Sequence, residues 1–262
     1  MKAASNSHAS ATPVLEARGI VRHFGTVEAL RGVDFAAYPG EIVALIGDNG
    51  AGKSSLTRIL VGADQPDAGE ILLDGARVTL SSPLVAQQKG IGVVYQDLAL
   101  ATDLDIPANI YLGREILRKG FLGAMGFIDR KAMRVGALST YQRFGVKPGG
   151  LVCPVATLSG GQRQSVAVAR SIAFGGRIVF MDEPTAALGV QQTAKVLELV
   201  KRVRDEGTAV VLISHNMTDV LKVADRVQVL RLGRHVATFA RADATLEGLV
   251  GAMTGQLDGK AA

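Results

Sequence analysis

EIVALIGDNGAGKSSL, residues 41–56, decides the fold. Its first part, Ile42 to Ile46, is an unbroken apolar run, as expected of a strand buried on both faces. The run leads into GDNGAGKS, which fits G-x-x-x-x-G-K-[ST] at Gly47, Gly52, Lys53 and Ser54. Glycines let such a loop turn so that its backbone N–H groups point inward at phosphate oxygens. The helix expected over SSLTRILVG adds its positive N-terminal end. Lys53 can reach β- and γ-phosphates, and the Ser54 hydroxyl can ligate Mg²⁺. A four-position match of this kind arises by chance in on the order of one chain in a hundred. Here the strand before it and the helix after it are also present. Gly47, Asp48, Asn49, Gly50, Ala51, Gly52, Lys53, Ser54 and Ser55 therefore read as a phosphate-binding loop.

Further apolar runs follow the same pattern: IGVVYQ (91–96), RIVFMD (177–182) and TAVVLIS (208–214). Between the last two, Val196, Leu199, Val200 and Val203 recur at helical spacing and stop at Gly207. Buried strands alternating with helices predict a parallel sheet in a doubly wound α/β core. Residues 14–38 and 70–80 read instead as shorter antiparallel strands, with Asp74-Gly75 as a hairpin turn. Residues 98–157 carry no clear strand and several helical stretches, including DRKAMRVGALSTYQRFG (129–145).

The strand ending at Asp182 meets a second acid, Glu183, and then Pro184. A phosphate loop needs a carboxylate on a neighbouring strand end to hold the metal. Asp182 fits that task. Hydrolysis needs a group that orients and deprotonates water, and Glu183 is the candidate. Gln96 and His215 also sit at strand ends, where a sheet presents side chains to a nucleotide. Gln96 can ligate the metal and sense the γ-phosphate, and His215 can donate to that phosphate and hold the water. In ATLSGGQRQSVAVARSIAF (156–174), Ser159 is a helix N-cap, and Gly160 and Gly161 leave N–H groups uncovered at the helix start. The chain thus carries a second anion-binding element.

Charge and composition bound the reading. The net charge is +5 with no dense Lys/Arg run, which favours a generally basic surface and leaves contact with acidic lipid headgroups or nucleic acid open. The longest apolar runs are far shorter than the roughly 20 residues a membrane helix needs. The first residues, MKAASNSHASATP, lack the apolar centre of a secretion signal. Residues 1–13 and 255–262 read as disordered tails. The single cysteine, Cys153, fits a reducing compartment and reads as a small apolar residue.

Taken in order, these motifs resemble the nucleotide-binding subunit of ABC transporters over about residues 14–254. GDNGAGKS resembles the Walker A loop, Gln96 the Q-loop glutamine, and LSGGQ (158–162) the family signature. IVFMDEP resembles Walker B with its catalytic glutamate, and His215 the switch histidine. Phe24 in VRHFGTVEAL stands where the family places an aromatic against adenine. The resemblance implies a P-loop NTPase (RecA-like) core with an antiparallel β subdomain and a helical signature subdomain, about residues 98–165. It also implies ATP and Mg²⁺, and a head-to-tail dimer. There, Ser159, Gly160, Gly161 and Gln162 face the ATP held by the other subunit, and Ser54, Gln96 and Asp182 hold the metal. The partners implied are membrane-spanning permease subunits, contacted after the Q-loop, and indirectly a solute-binding protein. Such a subunit sits peripherally on the cytoplasmic face of the inner membrane.

YQDLALATDLDIPANIYLGRE (95–115), DEPTAALGV and ISHNM are most similar to the ATPases of ribose-, xylose- and fructose-type importers. Many of those carry two ATPase halves in one chain, so here two chains are expected. An importer of another solute, such as branched-chain amino acids, is the nearest alternative. A soluble nucleic-acid ATPase of the same family is the more distant one, disfavoured by one cysteine and no heptad run. In the family the D-loop closes on aspartate where this chain has Gly189. That departure leads to an expectation of looser coupling between the two ATP sites.

Overall fold

The structure, a computed structural model, describes residues 12–145, 148 and 150–256. The tails expected at 1–13 and 255–262 lie mostly outside them. The chain divides into two compact units. Among the described residues, the first holds 12–93, 176–183 and 203–256, and the second those within 94–175 and 184–202.

The first unit is built on two sheets. β1 (Leu15–Phe24), β2 (Val27–Ala37), β4 (Ala68–Leu73) and β5 (Ala76–Val78) form an antiparallel sheet in the order β2-β1-β4-β5. The second sheet has the order β10-β9-β3-β8-β7-β6. Its members are β3 (Ile42–Ile46), β6 (Ile91–Val94), β7 (Ile178–Asp182), β8 (Ala209–Ile213), β9 (Arg226–Arg231) and β10 (Arg234–Ala240). β3 runs parallel to both β8 and β9, and β7 parallel to β8. All five residues of β3 and of β8 are buried, as the continuous apolar runs require of central parallel strands. β10 closes the edge antiparallel to β9. The α/β P-loop architecture expected from the sequence is thus present.

Helix α1 (Lys53–Leu60) follows β3 and buries Leu56, Ile59 and Leu60 completely. They join Leu30, Val43, Leu45, Ile178, Phe180 and Val211 in one core that fixes where α1 begins. α2 (Pro83–Gln88) is capped by Ser82, and α8 (Met217–Val223) by Asn216. Glu41, 2% exposed, is paired with Arg226 at 2.7 Å and ties the turn before β3 to the start of β9. α9 (Leu246–Thr254) ends at Gly255, whose φ of 84° gives the left-handed cap.

The second unit is helical: α3 (Ile106–Ile110), α4 (Phe121–Ala124), α5 (Arg130–Arg143), α6 (Gly160–Ile172) and most of α7 (Val190–Asp205). Its core gathers Ile106, Ile110, Ala137, Tyr141, Val155 and Val166. Asn109, fully buried, ties down the loop before α3. Its Oδ1 accepts from Ala101 N, and its Nδ2 donates to the carbonyls of Ala101, Leu104 and Asp105. Burial pushes the Tyr141 phenol well above its usual range. Among the described residues no helix is long and apolar enough to cross a membrane.

Candidate functional site

The loop between β3 and α1 has a shape only glycine permits at two places. Gly47 has φ 153°, and a Cβ there would lie 2.3 Å from the Leu230 carbonyl oxygen. Gly52, φ 103°, is the N-cap of α1, and a Cβ there would lie 2.8 Å from Leu30. The loop is braced from outside by Gly233 N donating to Ala51 O and Arg31 N donating to Gly233 O. The cap has no side-chain partner, so the first N–H groups of α1 stay available to an anion.

A concavity of about 430 Å³ opens over these groups, lined by Asn49 to Ser55 and by Val27, Ala29, Arg31 and Leu232. Gly47 and Asp48 do not line it. Phe24 stands at the end of β1, 43% exposed, with the Arg22 guanidinium 5.0 Å from its ring centre. It does not line this concavity either. Val27, Arg31 and Leu232 were not legible as site residues, because they reach the loop only through the pairing of distant strands.

Lys53 curls back over the loop, its Nζ donating to Gly47 O at 2.7 Å and Asp48 O at 3.0 Å. Burial lowers its pKa, opposed by Glu183, Asp48 and Asp182. An anion entering the loop can take over those two bonds. Asp182 closes β7 half-buried, and its pKa is raised by burial and by the adjacent Glu183, with Lys53 opposing. Asp182 and the Ser54 hydroxyl offer oxygen donors alone, which suits Mg²⁺ completed by phosphates and water. No three His, Cys, Asp or Glu residues cluster into an all-protein metal site among the described residues.

Glu183 departs from the strand with φ 48°, in the left-handed region a non-glycine residue seldom adopts. Its N–H donates to Ile213 O at 2.9 Å, which holds that turn against β8. The carboxylate, 14% exposed, accepts from the Ser214 hydroxyl at 3.3 Å and from His215 N at 2.9 Å. His215 Nδ1 lies 2.6 Å from Oε1. The ring itself is 75% exposed, so Nε2 is free to reach outward. A carboxylate on Nδ1 selects the Nδ1–H tautomer, in which neutral Nε2 accepts. Donation from Nε2 to a phosphate then needs the doubly protonated ring.

The first unit thus gathers Lys53, Ser54, Asp182, Glu183 and His215. Gln96 and the residues of LSGGQ belong to the second. Gln96 is exposed on the turn that follows β6. Ser159 caps α6 in a reciprocal box. Its Oγ accepts from Gln162 N at 3.4 Å, and its own N donates to Gln162 Oε1 at 2.8 Å. A Cβ on Gly160 would lie 2.9 Å from Leu188, so the segment after Pro184 packs directly behind the signature glycines. Arg170 of α6 donates to the carbonyls of Leu98 and Ala99, two consecutive residues at positive φ after Gln96. Gln96's turn and the signature helix are therefore clamped to each other.

The sequence model of the family described as ABC transporter matches residues 30–186. A fructose import ATP-binding protein of Rhizobium meliloti is 50% identical over 93% of this chain and 94% of its own length. A ribose import ATP-binding protein of Burkholderia cenocepacia is 45% identical over 94% of the chain, which spans 47% of that relative. A xylose/arabinose import ATP-binding protein of Sulfolobus acidocaldarius is 40% identical over 94% of this chain and 96% of its own length. Among solved structures, the ADP conformation of the ATP-binding cassette MJ1267 superposes with TM-score 0.76 at 23% identity, covering 92% of this chain and 95% of that one. The dimeric bacterial cassette MJ0796 superposes with TM-score 0.71 at 24% identity, over 87% and 98%. Fold, motif order and sequence agree: the chain belongs to the ABC transporter family of ATP-binding, ATP-hydrolysing subunits.

Proposed function

We propose that the chain energises uptake of a monosaccharide as the ATPase subunit of an ABC importer. The observation that carries this reading is the 50% identity to a fructose import ATP-binding protein over nearly the full length of both chains. The chain spans about half the length of its ribose relatives, which supports a functional unit of two such chains. The geometry supports the following assignment of the site. The loop N–H groups and Lys53 hold the phosphates. Ser54 and Asp182 would hold Mg²⁺, which would supply charge neutralisation to the bound phosphates. Glu183 orients the attacking water and takes its proton, and His215, fixed through Nδ1, aims Nε2 at the γ-phosphate. The signature of the opposite subunit completes each site, so hydrolysis requires the head-to-tail pair.

The permease is assigned to a groove of about 410 Å³ in the second unit, lined by Leu104, Pro107, Leu112, Met133 and Val152 with acids and arginines at its rim. On this reading the chain sits peripherally at the cytoplasmic face of the inner membrane. Nucleic acid has no part in it. The test is ATP turnover by the chain reconstituted with its neighbouring permease and solute-binding protein. Stimulation by fructose, ribose or xylose is expected. Stimulation by branched-chain amino acids alone would overturn the sugar assignment and leave the ATPase assignment intact.

A further inference from the structure

Residues 112–134 of the second unit put apolar side chains where no core covers them. Leu117 bridges to Ile128, Arg118 N donates to Phe127 O at 2.8 Å, and Asp129 N to Ile116 O at 2.6 Å. The short helix α4 closes this hairpin, with Met125 N donating to Phe121 O and Phe127 N to Leu122 O. Its backbone is thus well bonded, yet its tip points outward: Phe121 is 77% exposed, Met125 58% and Phe127 50%. Leu117, Leu122 and Ile128 extend the patch. A contiguous apolar surface on a bonded scaffold marks a contact site.

The charge around it is one-sided. Arg114, Arg118, Lys119, Arg130, Lys131 and Arg134, against Glu115 and Asp129, leave +4 on residues 112–134 of a chain whose net charge is +5. Both acids are engaged locally. Asp129 caps α5 through Ala132 N, and Glu115 accepts from Gly113 N. Arg118, Lys119, Arg130, Lys131 and Arg134 are exposed and make no ion pair among the described residues. Aromatic and aliphatic side chains at a projecting tip, ringed by cations, are the combination that sits in a lipid interface and is drawn to anionic headgroups.

We infer that the 112–134 hairpin inserts Phe121, Met125 and Phe127 into an anionic lipid surface, a direct membrane contact made by its tip, while Ile128, Arg130 and Arg134 at its base also line the adjoining permease groove. This holds whatever solute is carried, so its failure leaves the import reading standing.

The chain has no tryptophan, so Phe121→Trp makes a single fluorescent reporter of the tip. The variant is mixed with vesicles of phosphatidylcholine, with or without phosphatidylglycerol. The expected result is a blue-shifted emission, quenched by brominated lipid, only on the anionic vesicles. Co-sedimentation of the unmodified chain should weaken as salt rises. The double variant Phe121→Ser/Phe127→Ser, shown to be folded by unchanged ATP turnover, should bind at least about tenfold more weakly. An unshifted emission, or equal vesicle binding by the double variant, overturns the inference. So does loss of permease capture with vesicle binding intact, which would assign the face to a protein.

Discussion

Asp182 and Glu183 are adjacent carboxylates that share their surroundings with Lys53 of the loop between β3 and α1. Burial and the neighbouring charge raise the Asp182 pKa, so its ionised form is less favourable in the folded chain than in the unfolded one. A raised folded-state value means stability present at low pH and lost as pH rises through that value. Asp182→Asn is therefore expected to raise the melting temperature of the nucleotide-free protein at pH 7, the gain shrinking as pH falls toward the ordinary carboxylate range. The same variant should lose Mg²⁺-dependent turnover. Thermal melts over that pH range check the sign, and an unchanged or lowered melting temperature at pH 7 contradicts it. Both acids were readable from their place at the end of an apolar run. Their environment was not, because the bond from His215 Nδ1 to Glu183 depends on β7 and β8 lying side by side.

Two hairpins show how an element becomes legible or stays hidden. Asp74-Gly75 and Leu232-Gly233 each place two residues at positive φ between paired antiparallel strands, as a type I′ turn requires. Asp-Gly announces such a turn in sequence, so the strands around it were expected. Leu-Gly does not, so β9 and β10 went unread, although β9 supplies a parallel neighbour to β3. Gly189 likewise changes meaning once its element is seen. Its carbonyl accepts from Gln192 N and Thr193 N, both at 2.9 Å, which makes it the N-cap of α7. A Cβ there meets nothing within 4 Å, and its φ is unstrained. Gly189→Asp is thus expected to fold normally and to stabilise α7 by a few tenths of a kcal/mol as a better cap. In the assembled pair it should also raise the Hill coefficient for ATP. A lower melting temperature would contradict the cap, and an unchanged Hill coefficient would remove the idea of loosened coupling.

At the level of the whole molecule, the groups proposed to bind phosphate are divided between two units. Lys53, Asp182 and Glu183 lie in one, and Ser159 to Gln162 in the other. The motifs themselves were legible because glycine patterns and strand ends are local. The dimer entered through resemblance to the family, since no local pattern encodes a second chain. Its most direct test is size-exclusion chromatography of Glu183→Gln with Mg²⁺ and ATP, with Lys53→Ala as the control and turnover measured on both. The expected result is that Glu183→Gln elutes as a dimer retaining one ATP per chain, with turnover reduced about 10²–10⁴-fold. Lys53→Ala should remain monomeric and fail to bind ATP. Near-normal turnover by Glu183→Gln, or a monomer that holds ATP without pairing, would contradict the assignment.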